Sequence, residues 1–215
     1  MELIDLWHIG DEADWQRALD GYFENPSVRR NLVLEERINN INPSAIQQMD
    51  VQEFYNFLYD EYFVWKYTAK NRLATTRSKL EKHKDDNLQG LKKIQAGIFN
   101  LFAVDPEDTE ILLCKTQQIH GLGTAGASGL LSILFPQYYG TLDQFLVYSL
   151  SRIRDIPEQF ELERMKPESL SIKDGVILEN ILRAKSAELN DRFRTTVWTP
   201  RKVDMILWAS DREMN

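Results

Sequence analysis

The sequence predicts a mostly α-helical protein. Apolar residues recur at spacings of three and four along most of the chain, polar capping residues stand ahead of those stretches, and strand-like alternation is weak and scattered. The 215 residues, 43% hydrophobic and 11% aromatic, suffice for one compact domain or for two small helical lobes sharing an interface.

Asp50 and Glu53 form a capping-box pattern. It opens a helix whose Phe54, Phe57, Leu58, Tyr62 and Trp65 fall on one face. A basic stretch follows from Lys66 to Lys84, with Leu73 and Leu80 as apolar anchors, and Asp85-Asp86-Asn87 should break it. Leu88, Leu91, Ile94, Ile98, Leu101 and Phe102 make the next apolar stripe. Asp105-Pro106 reads as a cap with proline at the first helical position, starting a helix that runs to about Ile119. Residues 155–171, with Pro157 and Pro167, read as irregular. A helix is expected over 173–190 with Val176, Ile177, Ile181, Leu182 and Leu189 inward. The last helix starts at Thr199-Pro200 and carries Val203, Ile206, Leu207 and Trp208, with Arg201 and Asp204 expected as an exposed polar pair. No repeat, low-complexity tract or long linker divides residues 1–215, which are expected to form a single helical unit.

A single cysteine, Cys114, excludes an internal disulfide and a cysteine-rich zinc site. His8, His83 and His120 lie far apart and lack metal-ligand spacing. No apolar run approaches the roughly 20 residues of a membrane span, and the start at Met1 lacks the features of a signal peptide. A soluble, cytoplasmic protein is expected. The net charge of −7 is unevenly spread: residues 1–63 hold 4 basic and 13 acidic side chains, whereas residues 64–94 hold 9 basic and 3 acidic. A basic stripe of this kind can meet a phosphate backbone even within an acidic chain, although a lone basic run is usually a solvated helix face.

Between Gln118 and Leu131 a helix ends, Gly121-Leu122-Gly123 follows, and a second helix starts at once. The glycines allow a tight hairpin and the close approach of another backbone. The free N–H groups at the start of the second helix suit an anion such as a DNA phosphate. A dinucleotide-binding turn would need a strand before the glycines, and the segment from Pro106 reads as a helix. An ordinary tight turn between packed helices shares the same pattern. Downstream come Phe135-Pro136-Gln137-Tyr138-Tyr139-Gly140-Thr141-Leu142-Asp143 and a new helix start.

Hairpin, apolar helix, Gly/Pro loop and aspartate together resemble the signature of the helix-hairpin-helix DNA glycosylases, and residues 106–153 carry that resemblance. It implies a two-lobed helical fold of the glycosylase type. It implies that Asp143 is the catalytic carboxylate and that Gly121, Gly123, Thr124, Ala125 and Gly126 hold the DNA backbone. The position of the lysine in strand-cleaving members is Ala125, and the 18 residues from there to Asp143 match the separation in the endonuclease III branch. Alanine cannot attack the sugar, so a monofunctional enzyme without a lyase step is expected. Asp143 also suits the role of a helix N-cap.

The implied reaction flips a base from DNA, breaks its bond to C1′, and stabilises the oxocarbenium-like sugar with a carboxylate. Trp65, His120, Tyr139 and Gln144 are the candidates for the base pocket, and Lys66, Lys70, Arg72 and Arg77 for phosphate contacts. The family often carries a cysteine-bound iron–sulfur cluster; a single cysteine cannot hold one, so none is expected, and the resemblance allows a monovalent cation at the hairpin. The expected partner is double-stranded DNA, bound by a monomer away from membranes. The target would be a damaged base, as in DNA repair, or a hypermodified phage base, as in anti-phage defence. The other readings are a non-catalytic helix-hairpin-helix DNA-binding protein and a helical protein-interaction domain.

Overall fold

The computed structural model describes residues 1–212, and these are helical throughout, without a strand among them. Five helices precede the aromatic segment: α1 (Leu3–Ile9), α2 (Glu12–Glu24), α3 (Pro26–Arg29), α4 (Leu32–Asn39) and α5 (Pro43–Gln48). The helix that opens at Asp50 is α6 (Val51–Asn56), and the expected capping box with Glu53 is present. It continues through a π-helical stretch, Phe57–Tyr62, into α7 (Phe63–Lys66). That wider stretch buries Phe57, Leu58, Tyr62 and Phe63 together, leaving Trp65 at the edge of the core.

The basic stretch is α8 (Lys70–Leu80) and a 3-10 turn, Glu81–Asp86, which ends where Asn87 and Leu88 take left-handed backbone angles. Then come α9 (Gln89–Val104) and α10 (Thr109–Thr116). The latter starts three residues later than Asp105-Pro106 suggests, because the Asp108 carboxylate accepts the Ile111 N–H and Asp105 is spent on the Glu107 N–H. It also stops short of Ile119, which belongs to the hairpin turn. Next are α11 (Thr124–Leu134), α12 (Gln144–Arg152), α13 (Gln159–Arg164), α14 (Ile172–Phe193) and α15 (Pro200–Arg212). The short α13 stands inside the segment expected to be irregular. No helix among the described residues is long and apolar enough to cross a membrane.

Burial divides into two cores. One holds residues from Ile38 to Tyr139, centred on α6 to α11. The other joins the two ends of the chain: Leu6, Trp7, Trp15, Leu19, Tyr22 and Val28 pack with the apolar faces of α12, α14 and α15. Trp15 meets Trp198 edge-on at 5.9 Å, and Lys185 Nζ donates to the Trp7 carbonyl at 3.0 Å. The chain passes from the first core to the second between Tyr139 and Leu142, immediately before Asp143.

Candidate active site

A cleft of about 800 Å³ is lined by parts of both cores. The hairpin forms part of its wall. Gly121 adopts φ +102°, which favours glycine, and a Cβ there would stand 2.9 Å from the Thr76 carbonyl, so α8 packs directly on the turn. Gly123 precedes α11 without any side-chain cap, so the first N–H groups of that helix lack an internal partner. Thr124 is tied down instead: its hydroxyl donates to the Leu170 carbonyl and accepts from Gln117.

Asp143 lies across the same cleft and caps α12. Its Oδ1 accepts the N–H groups of Phe145 (3.1 Å) and Leu146 (3.4 Å). The three residues before it are fixed by buried side chains from three helices. Gly140 N–H donates to Glu179 Oε1 at 3.0 Å, Thr141 N–H to Asp204 Oδ2 at 2.8 Å, and Leu142 N–H to Ser128 Oγ at 2.9 Å. Each bond satisfies a buried donor, and together they hold the peptide that aims the carboxylate.

The second carboxylate oxygen faces Lys66. Nζ lies 3.5 Å from Asp143 Oδ2, with the lysine side chain 9% exposed and the aspartate 19%. Lys66, a candidate for phosphate contact, therefore lines the cleft and is not part of a solvated helix face. Its stem crosses Gly129, where a Cβ would stand 3.3 Å from Cδ and Cε. Burial lowers the pKa of its ammonium, and the charges of Asp143 and Asp204 oppose that shift.

Trp65 also lines the cleft. Its indole N–H donates to Glu35 Oε2 at 2.6 Å, and the Arg201 guanidinium stands 5.2 Å from its ring centre. Glu35 also accepts from Tyr22 and Asn39. Arg201 donates to Asp204 at 2.7 Å and to Thr141 at 3.1 Å, and both Arg201 and Asp204 are buried. The expected exposed pair is thus an internal one, because α15 turns these positions towards Thr141 and Glu35. Burial raises the Asp204 pKa, against the pull of Arg201. Burial disfavours the Arg201 cation, but Asp204, Tyr22 and Glu35 outweigh it and hold the guanidinium charged. Glu179, fully buried, has a pKa pushed up to about 8 by desolvation, and its Oε2 has no hydrogen-bond partner.

The cleft gathers Asp143, Gln144, Trp65, Lys66, Arg72 and the hairpin residues Gly121, Gly123, Thr124, Ala125 and Gly126. Two pocket candidates lie elsewhere. Tyr139 is fully buried, donates to the Pro106 carbonyl, and carries Arg183 over its ring. His120 is exposed and stacks on His83 at 4.1 Å, where His83 Nε2 accepts its backbone N–H. Arg77 lies outside the cleft lining: its Nε donates to the Tyr59 carbonyl, its guanidinium stands over the Tyr59 ring, and it pairs with Asp60 at 3.6 Å. Lys70 is exposed at the start of α8, and Lys79, absent from the expected set, lines the cleft. Sequence reasoning also missed Ser128, Glu179 and the Glu35–Arg201–Asp204 network. The signal for the network was an Arg-x-x-Asp pair embedded among Val203, Ile206 and Leu207. Among the described residues no group of three or more His, Cys, Asp or Glu is arranged to hold a metal ion.

Comparison with protein-family models, with curated proteins and with solved structures finds no match to this chain.

Proposed function

We propose that the protein is a DNA glycosylase that hydrolyses the N-glycosidic bond of a damaged or modified base flipped out of duplex DNA. The observation that carries this reading is the meeting of Asp143 with the uncapped start of α11 in one cleft. A phosphate at the hairpin would be held by backbone N–H groups, which read no base. A flipped nucleoside would then enter the cleft beside Trp65, whose ring offers a stacking surface. The carboxylate of Asp143 would stabilise positive charge developing at C1′ and orient the incoming water. Ala125, in the register of the motif's lysine, contributes no nucleophile.

The test is base release. Purified protein is incubated with duplexes holding uracil, oxidised bases or alkylated bases, and with phage DNA holding hydroxymethylated or glucosylated cytosine. Freed bases are read by mass spectrometry. One substrate should release its base with wild-type protein, and Asp143→Asn should slow that release by about 10²-fold or more. Release by the variant at the wild-type rate would overturn the role of Asp143. Salt-sensitive DNA binding without release from any substrate would favour a non-catalytic DNA-binding protein.

A further inference from the structure

We propose that His83 is a positioning residue for the hairpin turn that works only as a neutral ring, so that acid frees the turn and weakens its hold on duplex DNA. The inference rests on the reading that the hairpin binds a DNA phosphate, and it adds a proton-linked control to that contact. His83 and His120, 37 residues apart in the chain, meet with ring centres 4.1 Å apart. The His83 ring is buried, and its Nε2 accepts the backbone N–H of His120 at 3.0 Å. A backbone N–H only donates, so Nε2 must offer a lone pair and the ring proton of the neutral form stands on Nδ1.

His83 is itself held firmly. It lies in the 3-10 turn between α8 and α9, and its carbonyl accepts the Leu88 N–H at 2.9 Å where the chain takes left-handed angles. Its ring reaches from there to the hairpin. The Ile119 and Leu122 N–H groups bond to carbonyls three residues back, whereas the His120 N–H crosses to another element. The next residue, Gly121, packs on the Thr76 carbonyl, and the uncapped helix α11 then opens at Thr124. The anchor at His120 therefore fixes the backbone that leads into the free N–H groups.

Protonation of His83 turns Nε2 into a donor facing a donor, and the bond to His120 is lost. Burial first, and then the His120 ring, lower the His83 pKa from its ordinary 6.5, while Asp86 opposes them. The two histidines share a recess of about 510 Å³ with Lys82, Asp85 and Asp86 of the same turn, Lys93 of α9 and Lys115 of α10. The ring is thus neutral at pH 7, and the anchor is lost as pH falls below 6.5. DNA that requires the anchored turn prefers the neutral ring, so binding expels a proton and affinity falls in acid. General charge effects have the opposite sign, because a chain of net charge −7 becomes less negative in acid and phosphate binding tightens.

The experiment follows the full chain across pH at constant ionic strength. The chain has three histidines, so NMR of the imidazole rings gives each its own titration. Hydrogen exchange at the His120 amide is recorded as protection relative to the unstructured rate at the same pH. Fluorescence anisotropy measures binding to a labelled duplex with one tetrahydrofuran site. Protection of the His120 amide should fall as the His83 ring titrates, and duplex affinity should fall about five-fold or more between about pH 7.5 and about pH 5. His83→Gln places an amide oxygen near the position of Nε2 and does not titrate, so its affinity should stay close to that of neutral wild type and should not fall in acid. His120→Ala keeps the backbone N–H and removes the stacked ring, so the midpoint of the His83 titration should move up. Thermal unfolding establishes that both variants are folded.

An affinity that rises as wild-type protein is acidified would overturn the assignment, as would an acid response that persists in His83→Gln. So would a His120 amide whose protection ignores the His83 titration, a measurement that needs neither a variant nor DNA. Duplex binding that is indifferent to that titration would sink the control by His83 alone. Loss of His120 protection without duplex binding at any pH would sink the reading of the hairpin as a DNA site and leave His83 as its proton-sensitive anchor.

Discussion

Ser128 binds the backbone of Leu142: its Oγ accepts the Leu142 N–H at 2.9 Å while its hydroxyl donates to the Ala125 carbonyl at 3.2 Å. One side chain therefore spans from the first turn of the hairpin helix to the peptide that carries Asp143. Ser128→Ala leaves the Leu142 donor buried without an acceptor and is expected to cost about 1–3 kcal/mol. Denaturant titration measures that loss. On the proposed reading, DNA base release should fall by a larger factor than DNA affinity, because the N–H groups at the start of α11 are unchanged while the carboxylate loses a support.

Glu179 gives the fold a pH dependence of defined sign. Its folded pKa is about 8, raised by desolvation from the ordinary value of 4.5. A group with a raised folded pKa favours folding fully below its unfolded pKa, and that contribution is lost as pH rises through 8. Glu179→Gln keeps an acceptor for the Gly140 N–H and removes the titration. The variant should match wild type near pH 4 and exceed it at pH 8 by at least about 1 kcal/mol, or roughly 2–4 °C in Tm. Equal melting temperatures at pH 8 would contradict the buried, proton-linked carboxyl.

Two glycines of α11 should resist substitution while one in α2 should not. A Cβ at Gly126 would collide with the Tyr67 hydroxyl, and one at Gly129 would stand 2.8 Å from the buried Tyr62 hydroxyl and 3.3 Å from the Lys66 stem. Overpacking of this kind costs about 1–3 kcal/mol and outweighs the gain of about 1 kcal/mol in helix propensity. Gly21 has nothing within 4 Å of its Cβ position. Gly21→Ala should therefore stabilise the protein by about 0.5–1 kcal/mol, whereas Gly129→Ala should destabilise it. Parallel urea titrations compare these variants with Gly126→Ala.

The basic side chains of α8 divide by task. Arg72 and Lys79 line the cleft, whereas Arg77 bonds the Tyr59 carbonyl and stacks on its ring. Arg72→Ala with Lys79→Ala should weaken DNA binding and lower the slope of log K against log salt by about 2, roughly 0.9 for each phosphate no longer neutralised. Arg77→Ala should leave that slope unchanged and cost about 1 kcal/mol of stability. Fluorescence anisotropy over a salt series separates the two effects.

Much of this arrangement was legible in the sequence because it is local. The Asp50–Glu53 capping box, the turn at Gly121–Gly123 and the cap at Asp143 are set by residues within a few positions of one another. The misplacements have the same origin in reverse. Tyr139 stands four residues from Asp143 yet points into the first core, since only tertiary packing decides which side of the Gly140 bend an aromatic ring joins. Arg201 and Asp204 look like surface charges until Glu35 and Thr141 arrive from distant segments to pair with them. The start of α10 shifted because Asp108 caps Ile111, while Asp105 stays extended at the end of α9. The pairing of Lys66 with Asp143 had only an indirect trace, the two glycines of α11 at a spacing of three, which admit a neighbouring helix without naming it.

The second core, in which Trp15 rests on Trp198, also sets an order of assembly. During synthesis α1 and α2 emerge first but acquire their apolar partners only after α12, α14 and α15 have been made. The stretch from α4 to α11 can close around its own apolar residues in the meantime, since the buried residues of the first core run only from Ile38 to Tyr139. Pairings of such long sequence separation slow the final step and leave Trp7, Trp15 and Tyr22 exposed while they wait. Refolding should thus proceed in two phases. Tryptophan fluorescence would follow the slower one, because three of the five tryptophans, Trp7, Trp15 and Trp198, are buried in the late-forming core.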